Sequence, residues 1–220
     1  MPVIFDFDGV IADTEKLHFE ASRVVLAELG VPLDQARYYT SYLGYSDRDL
    51  AVAAATDHGL GDSPTLNDFV AAFIARKSVA FEALMTSGAV LFPGASACIR
   101  ALASDFPLAI ASGSFRHEIE RVLDGAGLRS AFSAIVGADD ADRHKPHPAP
   151  YLEAARRLQV HPIDCVAIED SMWGLDSARA AGMKTIAVTT TYPATQLTAD
   201  RIVGSLADVT PEIIRSVLHG

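Results

Sequence analysis

The first fourteen residues, MPVIFDFDGVIADT (1–14), decide the fold class of this 220-residue chain. The largely apolar segment Val3–Phe7 has the length of a buried β-strand, and the motif Asp6-Phe7-Asp8-Gly9 lies at its end. Residues two apart in an extended chain point to the same side, so Asp6 and Asp8 are predicted to project together where the strand ends. Gly9 allows a sharp turn there. An Asp-Gly turn that only closes a strand is the alternative interpretation.

Short apolar runs alternate with helical stretches along most of the remaining chain, which is typical of a parallel sheet with βαβ crossovers. The predicted strands are Val3–Phe7, Leu108–Ser112, Ala134–Val136, Cys165–Ile168, Thr185–Thr189 and Arg201–Val203. The predicted helices between them are Ala95–Ser104, Arg116–Gly125, Pro148–Leu158, Gly174–Ala181 and Pro211–Leu218. The pattern predicts an α/β fold with a Rossmann-like parallel sheet.

One interval after the first strand is helical throughout. Helices are predicted at Glu15–Leu29, Asp47–Ala55 and Leu66–Met85, before the sheet pattern resumes. A helical block at this point indicates an inserted cap over the carboxyl edge of the sheet, where ligands bind in such folds. We therefore predict a core domain of residues 1–14 and 88–220, with an α-helical cap domain of residues 15–87.

The composition limits the partners that the chain can have. Its formal net charge is −10, and an acidic surface repels nucleic-acid phosphates and anionic lipids. No apolar run is long enough to span a membrane, and the first residues lack the basic segment of a signal peptide. We predict a cytoplasmic monomer without nucleic-acid or membrane partners, in which Cys98 and Cys165 are reduced thiols.

A second acidic pair, Glu169-Asp170, follows the predicted strand Cys165–Ile168. Clustered carboxylates repel one another unless a cation lies between them, and Mg²⁺ prefers oxygen ligands. Together with the first acidic pair, these residues predict a Mg²⁺ site at the edge of the sheet. A helix N-cap formed by Asp170 or Ser171 is the alternative role.

Two further segments suit phosphate. Lys145 lies in HKPHP (144–148), where the following proline restricts its backbone, and its charge could offset the carboxylates. A solvated loop lysine is the alternative. Ser112-Gly113-Ser114 follows a predicted strand and offers hydroxyl and backbone N–H donors. The histidines show neither HxH nor HExxH spacing, so zinc is not predicted.

Four segments in order, DFDGVIADTE, ASGS, HKPHPAPY and AIEDSMWGLDSARAAGM, resemble the motifs of the haloacid dehalogenase superfamily of phosphatases. The similarity extends over essentially the whole chain and is greatest to the β-phosphoglucomutase-like branch, whose members carry a small helical cap. The resemblance implies that Asp6 is the nucleophile and a Mg²⁺ ligand. It implies that Asp8 is the general acid and base, with a backbone carbonyl that reaches the metal.

The same resemblance implies the other roles in the core. Ser112 and the Gly113 amide would bind the transferring phosphoryl group. Lys145 would bridge the nucleophile and the phosphate. Asp170 would complete the metal site, with Glu169 as a ligand or as a neighbour of the ligands.

The resemblance also implies substrate contacts in the cap, for which solvated helix charges are the alternative. His18 lies at the position of the cap-hinge histidine of the mutases. Arg48, in the cap loop of residues 44–48, and Lys77 would meet the substrate. Phe115-Arg116 stands where mutases carry a basic and an amide residue, which weakens a mutase assignment, although Arg116 could serve a distal phosphate.

The sequence thus predicts a Mg²⁺-dependent phosphatase, a phosphoric monoester hydrolase, that acts on small phosphorylated metabolites such as sugar phosphates through an aspartyl-phosphate. A β-phosphoglucomutase-type phosphosugar mutase is the alternative. A non-catalytic receiver module phosphorylated on Asp would be about half as long and would lack the helical insert. A dehalogenase would not need the metal that Glu169 and Asp170 indicate.

Overall fold

The structure is a computed structural model that describes residues 1–43, 45–86 and 91–219. Its strands are β1 (Val3–Phe5), β2 (Leu108–Ala111), β3 (Phe132–Val136), β4 (Val166–Glu169), β5 (Lys184–Val188) and β6 (Arg201–Val203). They form one sheet in the order β3-β2-β1-β4-β5-β6, and every neighbouring pair is parallel. The predicted α/β fold with a parallel sheet is confirmed.

The strand order puts β1 at the centre of the sheet. The chain builds β2 and β3 outward on one side of β1, then crosses to the other side and builds β4, β5 and β6. The order therefore reverses between β1 and β4. In open parallel sheets, ligands bind beyond the carboxyl ends of the strands at this switch point.

The helices agree closely with the sequence pattern. They are α1 (Glu15–Glu28), α2 (Gln35–Arg37), α3 (Asp47–Asp57), α4 (Leu66–Thr86), α5 (Ala95–Ala103), α6 (Arg116–Gly125), α7 (Ala149–Leu158), α8 (Met172–Ala180) and α9 (Pro211–His219). The short helix α2 continues into a π-helix, Tyr38–Tyr42, and the sequence predicted neither.

The chain divides into two compact units. The first comprises Met1–Asp13 and Val90–Gly220 and contains the sheet with α5–α9, and the second comprises Thr14–Ala89 and contains α1–α4. The predicted boundary between residues 87 and 88 lies outside the described residues. The assignment of the two units as core and cap domains therefore stays a prediction.

Each unit has its own apolar interior. In the first, Ile4 of β1 is fully buried and belongs to a cluster with Tyr151 and Ala154 of α7, because a central parallel strand is covered by helices. In the second, the rings of His18 and Phe81 stack with centroids 4.1 Å apart. No helix in the described part of the chain has the length and hydropathy that a membrane crossing needs.

Candidate active site

The site begins where β1 and β4 end side by side. Asp6 follows β1 directly, while Glu169 is the last residue of β4 and precedes Asp170. Phe5 is in register with Ile168, and the Asp6 amide donates a hydrogen bond of 2.9 Å to the Ile168 carbonyl. This register brings the two acidic segments together at the switch point of the sheet.

Asp6, Glu169 and Asp170 form a cluster of buried carboxylates. One oxygen from each lies within 4.8 Å of the others, and the residues are 8%, 0% and 5% exposed. Over residues 1–43, 45–86 and 91–219, this is the group of acidic, histidine or cysteine side chains close enough to hold a metal ion. The donors are all carboxylate oxygens, which suit a hard cation such as Mg²⁺ better than Zn²⁺.

The electrostatics of the cluster show an excess of negative charge. Burial raises the pKa of Asp6 above its ordinary value, and the charges of Glu169 and Asp8 add to the rise against the opposing effect of Lys145. Burial also raises the pKa of Asp170, with further contributions from Glu169 and Asp6. These directions are expected for carboxyl groups crowded together with too little positive charge, and a bound cation would favour the ionised forms.

Lys145 supplies positive charge inside this cluster. Its Nζ lies 2.8 Å from Asp6 Oδ1 and 2.6 Å from Glu169 Oε1, and its side chain is 13% exposed. Burial alone lowers the pKa of Lys145, but the charges of Asp6 and Glu169 outweigh it and raise that pKa above its ordinary value. The lysine is therefore protonated between two acids rather than solvated on a loop.

Hydrogen bonds hold both oxygens of Glu169. Oε1 accepts from Lys145 and from the Tyr151 hydroxyl, the latter at 2.8 Å. Oε2 accepts from the Asp170 amide at 3.1 Å and from the Ser171 hydroxyl at 3.2 Å. Ser171 is also the N-cap of α8, so the capping role that the sequence left open falls to Ser171 and not to Asp170.

Asp8 has a different set of partners. Its Oδ2 accepts hydrogen bonds from the hydroxyls of Ser112 at 3.2 Å and Ser114 at 2.5 Å, in the loop after β2. Among the described residues other than its chain neighbours, none has a heavy atom within 4 Å of the point where Gly113 would carry a Cβ. Strand β1 ends at Phe5, so the alternation of a strand does not extend to Asp6 and Asp8. The Asp8 charge still contributes to the raised pKa of Asp6, and the joint projection of the two carboxylates stays a prediction.

The predicted substrate residues of the second unit are partly brought together. Lys77 is 3% exposed, and its Nζ lies 2.8 Å from His18 Nδ1 and 2.7 Å from Asp47 Oδ1. Arg48 is exposed, and its guanidinium has no ionic partner among the residues that the structure describes. Gly44, the first residue of the predicted cap loop, lies outside the described residues.

Arg116 has an internal partner. Its guanidinium binds both oxygens of Asp140, with Nε to Oδ2 at 3.0 Å, and Asp140 also accepts from Arg157 at 2.8 Å. The Arg116 charge is therefore engaged within its own unit. This finding argues against the suggestion that Arg116 serves a distal phosphate.

Sequence reasoning missed three hydroxyl groups at the site. Tyr151 belongs to the apolar side of α7, where a buried tyrosine gives no functional signal. Thr190 donates to the Gly9 carbonyl, and Thr191 donates to Asp170 Oδ2. The run of threonines directly after the predicted strand Thr185–Thr189 was the available signal, because it places hydroxyls at the same sheet edge as the acids.

The fold and the cluster together define an α/β enzyme with a carboxylate-rich site at the switch point of a parallel sheet. The family model of haloacid dehalogenase-like hydrolases matches residues 3–188. The chain belongs to this family.

Relatives agree with that assignment. The chain is 33% identical to the bifunctional riboflavin kinase/FMN phosphatase of Arabidopsis thaliana over 94% of its own length, but it spans only 54% of that protein. It is 34% identical to hexitol phosphatase B of Escherichia coli (strain K12), over 86% of this chain and 83% of that protein. The structure of β-phosphoglucomutase from Clostridium difficile superposes with a TM-score of 0.87 at 25% identity, covering 99% and 96% of the two chains. The predicted resemblance to the β-phosphoglucomutase-like branch is confirmed.

Proposed function

We propose that the chain is a Mg²⁺-dependent phosphatase that hydrolyses small phosphorylated metabolites, sugar phosphates among them, through an aspartyl-phosphate on Asp6. The observation that carries the proposal is the sharing of Lys145 between Asp6 and Glu169 beside Asp170. Phosphoryl transfer depends mainly on positioning and on neutralising charge, and this arrangement serves both needs. The predicted enzyme class, phosphoric monoester hydrolase, is confirmed by the phosphatase relatives.

The residues of the cluster fit Mg²⁺. Asp6 and Asp170 would hold it, and the backbone carbonyl of Asp8 is the further ligand that the family resemblance implies. When bound, the ion supplies positive charge that offsets the charge of the substrate phosphate. Glu169 accepts four hydrogen bonds, so we assign it the role of holding Lys145 and the Asp170 backbone in place.

The proposed nucleophile is one particular oxygen of Asp6. Lys145 and the Phe7 amide, at 2.8 and 2.7 Å, both bind Oδ1, which leaves Oδ2 to attack phosphorus. As the new O–P bond forms, the bond from phosphorus to the ester oxygen breaks. Asp8 donates a proton to that departing oxygen, so the alcohol leaves neutral and the phosphoryl group stays on Asp6.

The second step releases inorganic phosphate. Asp8, now ionised, takes a proton from a water molecule, whose oxygen attacks phosphorus while the bond to Asp6 breaks. The hydroxyls of Ser112 and Ser114 bind Asp8 Oδ2 and orient the carboxyl group for both proton transfers. Ser112 and the Gly113 amide would contact the phosphoryl oxygens during transfer.

A phosphosugar mutase is the second candidate, and the likeness to β-phosphoglucomutase favours it. A mutase returns the phosphoryl group to another hydroxyl of a bisphosphate instead of to water. The pairing of Arg116 with Asp140 and of Lys77 with Asp47 engages two cations that a second phosphate could use. Incubation with β-glucose 1-phosphate and a bisphosphate primer decides the matter, since a mutase would form glucose 6-phosphate with little free phosphate.

Phosphate release from a panel of small phosphomonoesters with Mg²⁺ tests the main proposal. Asp6→Asn removes the nucleophile with a nearly isosteric amide, and we expect turnover to fall by at least about 10³-fold. Asp176→Asn, an exposed carboxylate on α8 paired with Arg179, is the matched control and should keep wild-type activity. Retention of about one per cent activity by Asp6→Asn would contradict a covalent intermediate.

EDTA tests the metal requirement separately. We expect removal of divalent ions to abolish phosphate release and added Mg²⁺ to restore it, because the carboxylates of the cluster would otherwise repel the substrate. Full activity in EDTA would exclude the proposed cofactor. The absence of nucleic-acid and membrane partners also stays a proposal, supported by the net charge of −10. The cytoplasmic location and the monomeric state stay predictions from the sequence.

A further inference from the structure

The loop after β5 reaches the acidic site with two adjacent hydroxyl groups. Thr190 Oγ1 donates a hydrogen bond to the carbonyl of Gly9, in the turn that follows Asp8. Thr191 Oγ1 donates to Asp170 Oδ2, in the turn that follows β4. One loop thus bonds to both segments that carry the proposed metal ligands.

The packing around Gly9 shows how closely these segments approach. Gly9 has a φ of +77°, and a Cβ built on it would lie 1.9 Å from Asp170 Oδ2 and 2.8 Å from Thr191 Oγ1. Both distances are far below van der Waals contact. Glycine is therefore required by backbone conformation and by space, and the Asp170 carboxylate is enclosed between the Gly9 turn and the Thr191 hydroxyl.

The three acids of the cluster differ in what fixes their side chains. Glu169 accepts four hydrogen bonds, and Asp6 accepts from Lys145 and the Phe7 amide. Within the described part of the chain, the hydrogen bond to the Asp170 carboxylate comes from Thr191. The orientation of the Asp170 side chain therefore depends on a single hydroxyl, that of Thr191. The side chains of Glu169 and Asp6 are each held by more than one donor.

We infer that Thr191 is a positioning residue that fixes the rotamer of Asp170 and so sets the affinity of the site for its cation. The hydrogen bond occupies one carboxylate oxygen and leaves the second for the ion, while Thr190 secures the facing Gly9 turn. Partners of this kind typically change metal affinity by about 10- to 100-fold when they are removed. The inference rests on the proposed function, because it takes Asp170 to be a metal ligand.

Calorimetric titration of the metal-free full-length protein with MgCl₂ tests the inference without any activity measurement. We expect Thr191→Val to weaken Mg²⁺ binding by about tenfold or more, because valine keeps the shape of threonine but lacks the hydroxyl. Thr191→Ser restores the donor and should bind close to wild type. Thr189→Val is the matched control, since the Thr189 hydroxyl in the same loop donates to the Gly204 carbonyl at 3.3 Å.

Thermal unfolding of the metal-free variants separates positioning from folding. Thr191 is partly exposed, so Thr191→Val should unfold near the wild-type temperature while its Mg²⁺ affinity falls. Wild-type affinity in Thr191→Val, together with lost binding in Asp170→Asn, would overturn the inference and leave the metal proposal intact. Absence of Mg²⁺ binding by the wild-type protein would overturn the metal proposal and the inference with it.

Discussion

Each of the two units buries a lysine, and the two sites differ in their balance of charge. Lys145 in the first unit and Lys77 in the second are 13% and 3% exposed at the side chain. Each Nζ also lies over an aromatic ring, 5.2 Å from the centroid of Tyr151 and 5.1 Å from that of Phe81. Both lysines are thus buried beside an aromatic ring, although Lys77 also contacts His18.

The two sites differ in the number of carboxylates around each lysine. Lys77 contacts one carboxylate, Asp47, so that its pair is neutral. Lys145 contacts two, and Asp170 lies in the same cluster, so the three acids exceed the single lysine by two negative charges when all are ionised. A neutral ion pair needs no further charge, whereas an excess of buried negative charge is relieved by a cation or a proton. The first site therefore has the excess negative charge that the proposed cation would offset, whereas the charges of Lys77 and Asp47 already balance.

Of the substitutions that test this comparison, Lys145→Met should have the largest effect, and the effect should be on catalysis. Loss of this charge leaves Asp6 and Glu169 to repel each other and the substrate, and we expect kcat/KM for a sugar phosphate to fall by about 10³-fold. Phosphate release with saturating Mg²⁺ measures it. Lys184→Met, which removes a half-exposed lysine 3.1 Å from Asp200, is the control and should change kcat/KM little. Equal losses in both variants would show that Lys145 has no special role.

Lys77→Met should act mainly on stability. It leaves the partly buried side chains of Asp47 and His18 without their shared donor, and we expect the free energy of unfolding to fall by about 2 kcal/mol. Urea unfolding followed by circular dichroism measures the change. In the double variant Lys77→Met/Asp47→Asn, no unpaired charge remains, so part of that loss should be recovered. A strictly additive cycle would contradict the neutral-pair description.

A third site has the opposite balance of charge, because two arginines bind one carboxylate there. The dependence of protein stability on acid pH tests this site. Burial raises the pKa of Asp140, but hydrogen bonds from Arg116, Arg157 and the Gly137 amide outweigh it and lower the pKa to about 2. The folded-state pKa is depressed, so the ionised form stabilises the protein above the ordinary value of 3.8 and loses this effect as the pH falls through about 2.

The ionised Asp140 should contribute about 2 kcal/mol or less to the free energy of unfolding. This is the smallest of the three effects predicted for Lys145, Lys77 and Asp140. Asp140→Asn should therefore lower the stability at neutral pH and flatten its decline between pH about 4 and about 2. Urea unfolding over that range measures both effects. The exposed Asp176→Asn variant serves as the control, and an unchanged slope in Asp140→Asn would refute the assignment.

The sequence predicted the acidic site because its chemistry is local. Asp6, Glu169 and Asp170 each stand next to an apolar run, and the carboxyl ends of parallel strands meet at one edge. The ends of a strand were harder to predict where a polar residue interrupts an apolar run. Strand β3 begins at Phe132 rather than Ala134, because exposed Ser133 breaks the apolar pattern without ending the strand.

Features that depend on distant contacts were not predictable. The bond from Thr191 to Asp170 and the pair of Lys77 with Asp47 join segments whose approach is set by the fold and not by any local pattern. The π-helix Tyr38–Tyr42 likewise has no propensity signal. Its end residues bond to Glu15 and Asp57, which lie on other helices.

The pairing of β1 with β4 has a consequence for biosynthesis. Val3 is synthesised before its partner Val166, and β2 and β3 are made in between. A nascent chain that has reached Leu158 contains Asp6 and Lys145 but lacks β4 and the acids Glu169 and Asp170 at its end. The proposed nucleophile Asp6 is therefore synthesised before the segment that brings Glu169 and Asp170 beside it.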